Sequence, residues 1–258
     1  MAEKIIDYFD SMSSPWTYLG HLRFMDLARR FGLTVRHKPM DLLKVWSVSG
    51  GLPLKQRAQQ RQAYRHQELR RWRELLGVPC NLEPAFHPVA DRRACYLVIA
   101  AMRQGLDWNK LSYALLRAVW VEDRNIADHA TLAAIANESG MNGTVLLAAT
   151  NDPAVQAEYE ANTEEAMRIG VFGAPAYVFD GELFWGQDRL QMLEWRLTQK
   201  LGAPAAARTR AGGARSAKAQ RRGTPRARPD RRGVPRRSRG GSSARGRARM
   251  RKQRSRAR

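Results

Sequence analysis

Cysteine is scarce: Cys80 and Cys95 are the two in 258 residues. They stand too far apart for the Cys-x-x-Cys pair of a dithiol redox centre, and two are too few for a disulfide framework. Both are read as reduced thiols with no part in chemistry. No apolar run is long enough to span a bilayer. The first residues lack the hydrophobic stretch of a secretory signal. The expectation is a cytoplasmic protein with no membrane partner. His21, His37, His66, His87 and His129 show no ligand spacing, so no metal is expected.

Acid is missing from one end. Residues 205–258 hold one acidic side chain, Asp230, against 21 lysines and arginines, while residues 1–204 hold 24 basic and 23 acidic ones. The formal charge of +21 therefore belongs to the tail, and the body is nearly neutral. The tail also lacks Phe, Trp, Tyr, Ile and Leu. Such a segment buries too little apolar surface to offset its ordering entropy, so 205–258 is expected to be a disordered, Arg-rich tail. Its cations suit non-specific, salt-dependent contact with nucleic-acid phosphates. It has no aromatics to stack on bases. A dispensable extension is the other reading.

The body, 1–204, is long enough for one domain with an insertion. Residues 4–9 read as a strand. Ser14-Pro15 then opens a helix over 16–31, where Leu19, Leu22, Met25, Ala28 and Phe31 recur at helical spacing and Gly32 closes it. Residues 33–40 alternate as a second strand. Helices are expected over 56–76, 91–105, 109–121, 128–139 and 153–169, with Ala94, Cys95, Leu97, Val98 and Ala101 as the buried face of the second. A hairpin follows: strands at 176–179 and 182–185 joined by Asp180-Gly181. A last helix covers 189–200. The class is α/β: a thioredoxin-like β-α-β … β-β-α core with an all-helical insertion at about 55–169.

Three places carry candidate chemistry. Ser14 sits at a strand-to-helix junction, where free amides and the helix dipole favour negative charge. Its hydroxyl caps the helix, or it stabilises a thiolate brought by a ligand. A free thiol has a pKa of about 8.5. One hydrogen bond to the charged form is worth about 1.5–3 kcal/mol, which lowers that pKa by roughly one to two units. Ala174-Pro175 precedes the hairpin: either an ordinary loop proline or, with a cis bond, a place where Ala174 offers backbone groups to an extended ligand. Trp185-Gly186-Gln187-Asp188 leads into the last helix. Gln187 and Asp188 stand where a cap belongs, or they bind an amino-acid end. On the 56–76 helix, Arg61 and Tyr64 share one side and suit a carboxylate and a ring, or they belong to a solvated cationic face.

Ser14-Pro15-Trp16-Thr17-Tyr18-Leu19 resembles the 2-hydroxychromene-2-carboxylate isomerases, relatives of the kappa-class glutathione transferases. The likeness continues through Asp41-Leu42, Leu69-Arg70-Arg71-Trp72, Ala118-Val119-Trp120, Val171-Phe172-Gly173-Ala174-Pro175 and Trp185 to Leu190. It spans nearly all of 3–200 and none of the tail. The resemblance implies a glutathione-dependent isomerase of the EC 5.99.1 type, acting in aromatic catabolism. It implies Ser14 on the glutathione sulfur, Ala174 and Pro175 at the cysteinyl part, and Trp185, Gly186, Gln187 and Asp188 at the γ-glutamyl end. Arg61 falls where relatives often have lysine. Relatives also carry an asparagine in the loop that here reads Ser49-Gly50-Gly51-Leu52-Pro53. A homodimer is implied. The alternatives are a kappa-like transferase or peroxidase, and, in another class, nucleic-acid binding through the tail.

Overall fold

The computed structural model describes residues 4–204. The expectations for the basic tail lie outside the described residues. Strand β1 (Ile5–Asp10) runs into α1 (Pro15–Phe31), which returns to β2 (Thr34–Pro39). The β1 and β2 strands pair in parallel, Ile5 facing Thr34 and Asp10 facing Pro39. After the helices, β3 (Ala176–Phe179) lies antiparallel on the other side of β1, and β4 (Glu182–Trp185) completes the sheet in the order β2-β1-β3-β4. The hairpin has its expected bounds, because Asp180 and Gly181 take the paired positive φ angles, 51° and 76°, of a tight two-residue turn.

Between the two halves lie α2 (Leu42–Ser49), α3 (Gln59–Leu76), α4 (Arg92–Arg103), α5 (Trp108–Trp120), α6 (His129–Glu138), α7 (Gly143–Ala149) and α8 (Pro153–Arg168). The α4 helix is buried at every position from 94 to 101 and forms the axis of the helical core with Leu111, Leu115, Leu116 and Trp120. A helix apolar all round needs neighbours on every side. Helix α8 joins both layers: Val155 and Tyr159 pack in the helical core, while Ala166 packs with Phe9 and Ala176 against the sheet. The opposite sheet face buries Ile6, Tyr8 and Tyr177 under α1 and α9 (Leu190–Leu201) through Phe24, Leu27, Leu193 and Leu197.

Several details differ from the sequence expectations. Leu22 is 50% exposed, and α1 buries His21, Phe24 and Leu27 on its inward side. The helix expected from residue 56 is interrupted. A short 3-10 turn, Leu54–Gln56, ends at Arg57, whose Nε donates to the Leu52 carbonyl and whose guanidinium lies 5.2 Å over the Trp46 ring. Helix α3 starts only afterwards, with no side-chain cap. Helices α2 and α7 were not anticipated. Asp41 caps α2 through the Leu43 and Lys44 amides, and Asn142 caps α7 through Val145.

Candidate functional site

Ser14 has extended backbone angles and caps α1, its Oγ accepting from the Thr17 amide at 3.2 Å. The same hydroxyl donates to the Ala174 carbonyl at 3.3 Å, across 160 residues of sequence. Cap and cross-chain contact therefore coexist. The Ala174–Pro175 bond is cis. Ala174 is 6% exposed, and its own N–H has no acceptor among the described residues. A backbone N–H without an acceptor is an open donor, so this one is suited to an incoming carbonyl. The first turn of α1 holds no acidic side chain, leaving the positive end of its dipole uncompensated.

The loop before Ser14 is held from the helical layer. The Asp91 carboxylate accepts from Ser11 Oγ at 2.6 Å and from the Ser13 amide at 3.0 Å, and burial raises its pKa. Sequence reasoning took Asp91 only as the start of a helix. In the structure its side chain makes no capping bond at all. Beneath the loop, Asp10 Oδ2 lies 2.9 Å from His37 Nε2, both side chains fully buried. Tyr8 bonds His21 Nδ1 at 3.2 Å, and His21 Nε2 lies 2.7 Å from Asn109 Oδ1. Burial lowers His21 to about 4, so its ring is neutral at neutral pH. Sequence reasoning missed this polar layer too.

The third segment closes the other flank. The Gly186 amide donates to the Pro175 carbonyl at 2.8 Å. The Trp185 ring lies over Gly173, where a Cβ would come within 2.2 Å of its Nε1, and it packs 4.7 Å from the Phe172 ring. Gln187 and Asp188 are not caps: neither the 3-10 turn at Gln187–Arg189 nor α9 has a side-chain cap. Gln187 turns inward, 1% exposed, and its Oε1 accepts from Arg23 of α1 at 2.5 Å. Gly20 of α1 permits that approach, since a Cβ there would meet the Gln187 Cβ at 2.7 Å. Asp188 pairs with Arg189 at 2.8 Å. Ser14, Ala174, Pro175, Trp185, Gly186 and Gln187 thus form one connected, largely buried cluster. Arg61 and Tyr64 stand exposed on α3, and no hydrogen bond joins them to it.

The two cysteines supply no reactive sulfur. Both are buried and free; burial pushes Cys80 up to about 11 and also raises Cys95 well above the usual thiol range. Among the described residues, no helix is long and apolar enough to cross a membrane.

A thioredoxin-type sheet with a capped serine facing the residue before Pro175 defines a class: this chain belongs to the DsbA-like thioredoxin domain family, whose model matches residues 4–198. Within that class it is similar to the 2-hydroxychromene-2-carboxylate isomerase of Pseudomonas putida, 30% identical over 195 residues, covering 74% of this chain and 92% of that one. It is also similar to glutathione S-transferase kappa 1 of Rattus norvegicus, 23% identical over 215 residues, covering 79% and 95%. A solved 2-hydroxychromene-2-carboxylate isomerase structure superposes with a TM-score of 0.63 at 26% identity, covering 76% of this chain and 95% of that one. The resemblance read from the Ser14 and Pro175 motifs agrees with these relatives.

Proposed function

We propose that this protein is a glutathione-dependent isomerase of 2-hydroxychromene-2-carboxylate-type aromatic catabolites. The observation that carries the reading is the Ser14 hydroxyl held between the Thr17 amide and the Ala174 carbonyl. The residues present fit glutathione. The Ala174 N–H, which has no acceptor among the described residues, and the carbonyl beside it match the main chain of an extended tripeptide. When bound, glutathione supplies a thiolate nucleophile that is regenerated in each turnover.

The protein's part is derived from its own groups. The 3.3 Å bond from Ser14 to Ala174 is long, so the hydroxyl turns readily toward an anion at the helix end. That donation, with the α1 dipole, holds the sulfur ionised near neutral pH. The turn frees the Ala174 carbonyl to pair with the ligand's backbone. Trp185, Gly186, Gln187 and Asp188 border the γ-glutamyl end, with Gln187 fixed by Arg23. Arg61 and Tyr64, exposed on α3, leave a charge and a ring free for the acceptor's approach. Asp91 keeps the Ser11–Ser13 loop from drifting, which preserves the attack geometry.

The test is turnover of 2-hydroxychromene-2-carboxylate with and without glutathione. Omitting glutathione should abolish it. Ser14→Ala should lower kcat/KM at pH 7 by about 10- to 100-fold and shift the pH–rate profile upward by roughly one to two units. Full activity in Ser14→Ala at neutral pH refutes the assigned role. The kappa relative favours a second reading, a transferase or peroxidase, in which glutathione is consumed; titrating free thiol during turnover separates the two. A cytoplasmic homodimer accompanies the proposal.

A further inference from the structure

An open cleft of about 420 Å³ lies within the helical layer, between α3 and the segment before α4. Its wall includes Leu54, Gln62, Arg65, His66, Leu82 and His87. This volume falls within the range of small-ligand sites.

Arg65 is the unusual member. Its guanidinium is half-buried and lies 5.9 Å over the ring of Trp120, which is itself fully buried. A guanidinium carries five N–H donors. Among the described residues, no carboxylate pairs with Arg65 and no acceptor takes any of those donors. Burial, and then the nearby Arg57 charge, lower its pKa to about 10, so it stays cationic at neutral pH. Arg57, itself a cation, is engaged with the Leu52 carbonyl and the Trp46 ring. Glu83 at the rim is exposed and forms no ion pair with Arg65. Burial, followed by the Arg65 charge, lowers His87 to about 4, so this ring is neutral and stays beside Trp120 at 4.7 Å. A desolvated cation without an anion is costly unless a ligand supplies one.

The chain connects the cleft's wall to the loop before Ser14, none of whose residues lines the cleft. His87 is four residues from Asp91, an extended span of at most about 14 Å, and Asp91 grips the Ser13 amide next to Ser14. By contrast, Arg61, one turn earlier on α3, is exposed and does not line the cleft.

We propose that Arg65 binds the carboxylate of an aromatic acceptor whose apolar body rests on Leu54 and Leu82. The inference rests on the isomerase reading and names where its substrate's anion is held. A carboxylate of glutathione itself shares the same chemistry, so the test separates the two sources.

The probe is chromone-2-carboxylate, with chromone-2-carboxamide as its neutral partner, titrated calorimetrically into the full chain at pH 7 without glutathione. The carboxylate should bind wild type at least 10-fold more tightly than the carboxamide. Arg65→Gln should lose that advantage, leaving carboxamide affinity and glutathione affinity unchanged. Equal binding of the two probes by wild type overturns the proposal, even if Arg65→Gln fails to fold. So does undiminished carboxylate binding by the folded variant. If Arg65→Gln weakens glutathione and not the chromone, the anion at Arg65 belongs to glutathione and the assignment to the acceptor falls. An Arg65-dependent chromone site in a protein that does not isomerise hydroxychromene carboxylates sinks the reaction and leaves the pocket. Turnover with an unchanged KM in Arg65→Gln does the reverse.

Discussion

Ser14 serves two neighbours through one oxygen, and the two roles separate by measurement. Its cap to Thr17 is worth about 1 kcal/mol, so Ser14→Ala should unfold in urea with a stability lower by about that amount, far too little to explain a 10-fold loss of turnover. Asp91 is the less obvious residue. Replacing it with alanine leaves the Ser13 amide unpartnered and Ser11 Oγ with Ser13 Oγ alone, at a cost of about 1–3 kcal/mol. Asp91→Asn keeps an accepting oxygen and should keep both fold and turnover. If alanine and asparagine behave alike, Asp91 does not hold the loop. The places of Ser14 and Pro175 in the fold were legible because a hydroxyl before proline and a proline before a hairpin are local signals. That of Asp91 was not: its partners lie about 80 positions earlier, and an aspartate before a helix looks like a cap. Gln187 misled for the same reason, since its buried link to Arg23 has no trace in neighbouring residues.

At the level of elements, the hairpin stands where its turn residues placed it, because two positive φ angles in sequence leave little freedom. Helix α4 was equally plain from its apolar content. Helices α2 and α7 escaped notice because eight and seven residues make only about two turns each, too short to show a period. Leu22 shares the helical spacing of Leu19, Ala28 and Phe31, yet those three are buried and it is exposed, because it lies at the edge of the side that faces inward. The contact between the Phe172–Gly173 loop and the hairpin makes a further prediction. Gly173→Ala drives a methyl group into Trp185 at 2.2 Å. The ring must leave its seat, so stability should fall by about 1–3 kcal/mol, and glutathione affinity, followed by calorimetry, should drop with it. A Gly173→Ala variant with wild-type melting and affinity contradicts that packing.

The whole molecule carries its charge asymmetrically, and its stability has an acid limit. Burial keeps His21 from protonating until about pH 4, whereas the unfolded chain takes the proton near 6.5. The native state is therefore favoured above pH 6.5 and loses up to about 3 kcal/mol as pH falls from 6.5 to 4. Urea titrations of wild type and His21→Asn over that interval should converge; parallel curves refute the assignment. Removing residues 205–258 takes the formal charge from +21 to about +1. The shortened protein should keep its turnover and lose retention on immobilised DNA at low salt. A fall in turnover moves the functional boundary into the tail. The sheet order has one more consequence, concerning synthesis. The strand β1 is central, flanked by β2 and β3, yet it leaves the ribosome first, and β3 follows about 170 residues later. At roughly 5–20 residues per second, one edge of β1 waits on the order of ten seconds or more for its partner. Until residue 174 emerges, Ser14 has no carbonyl to bond. Nascent chains arrested before that point should be inactive, and their open strand edge should recruit chaperones.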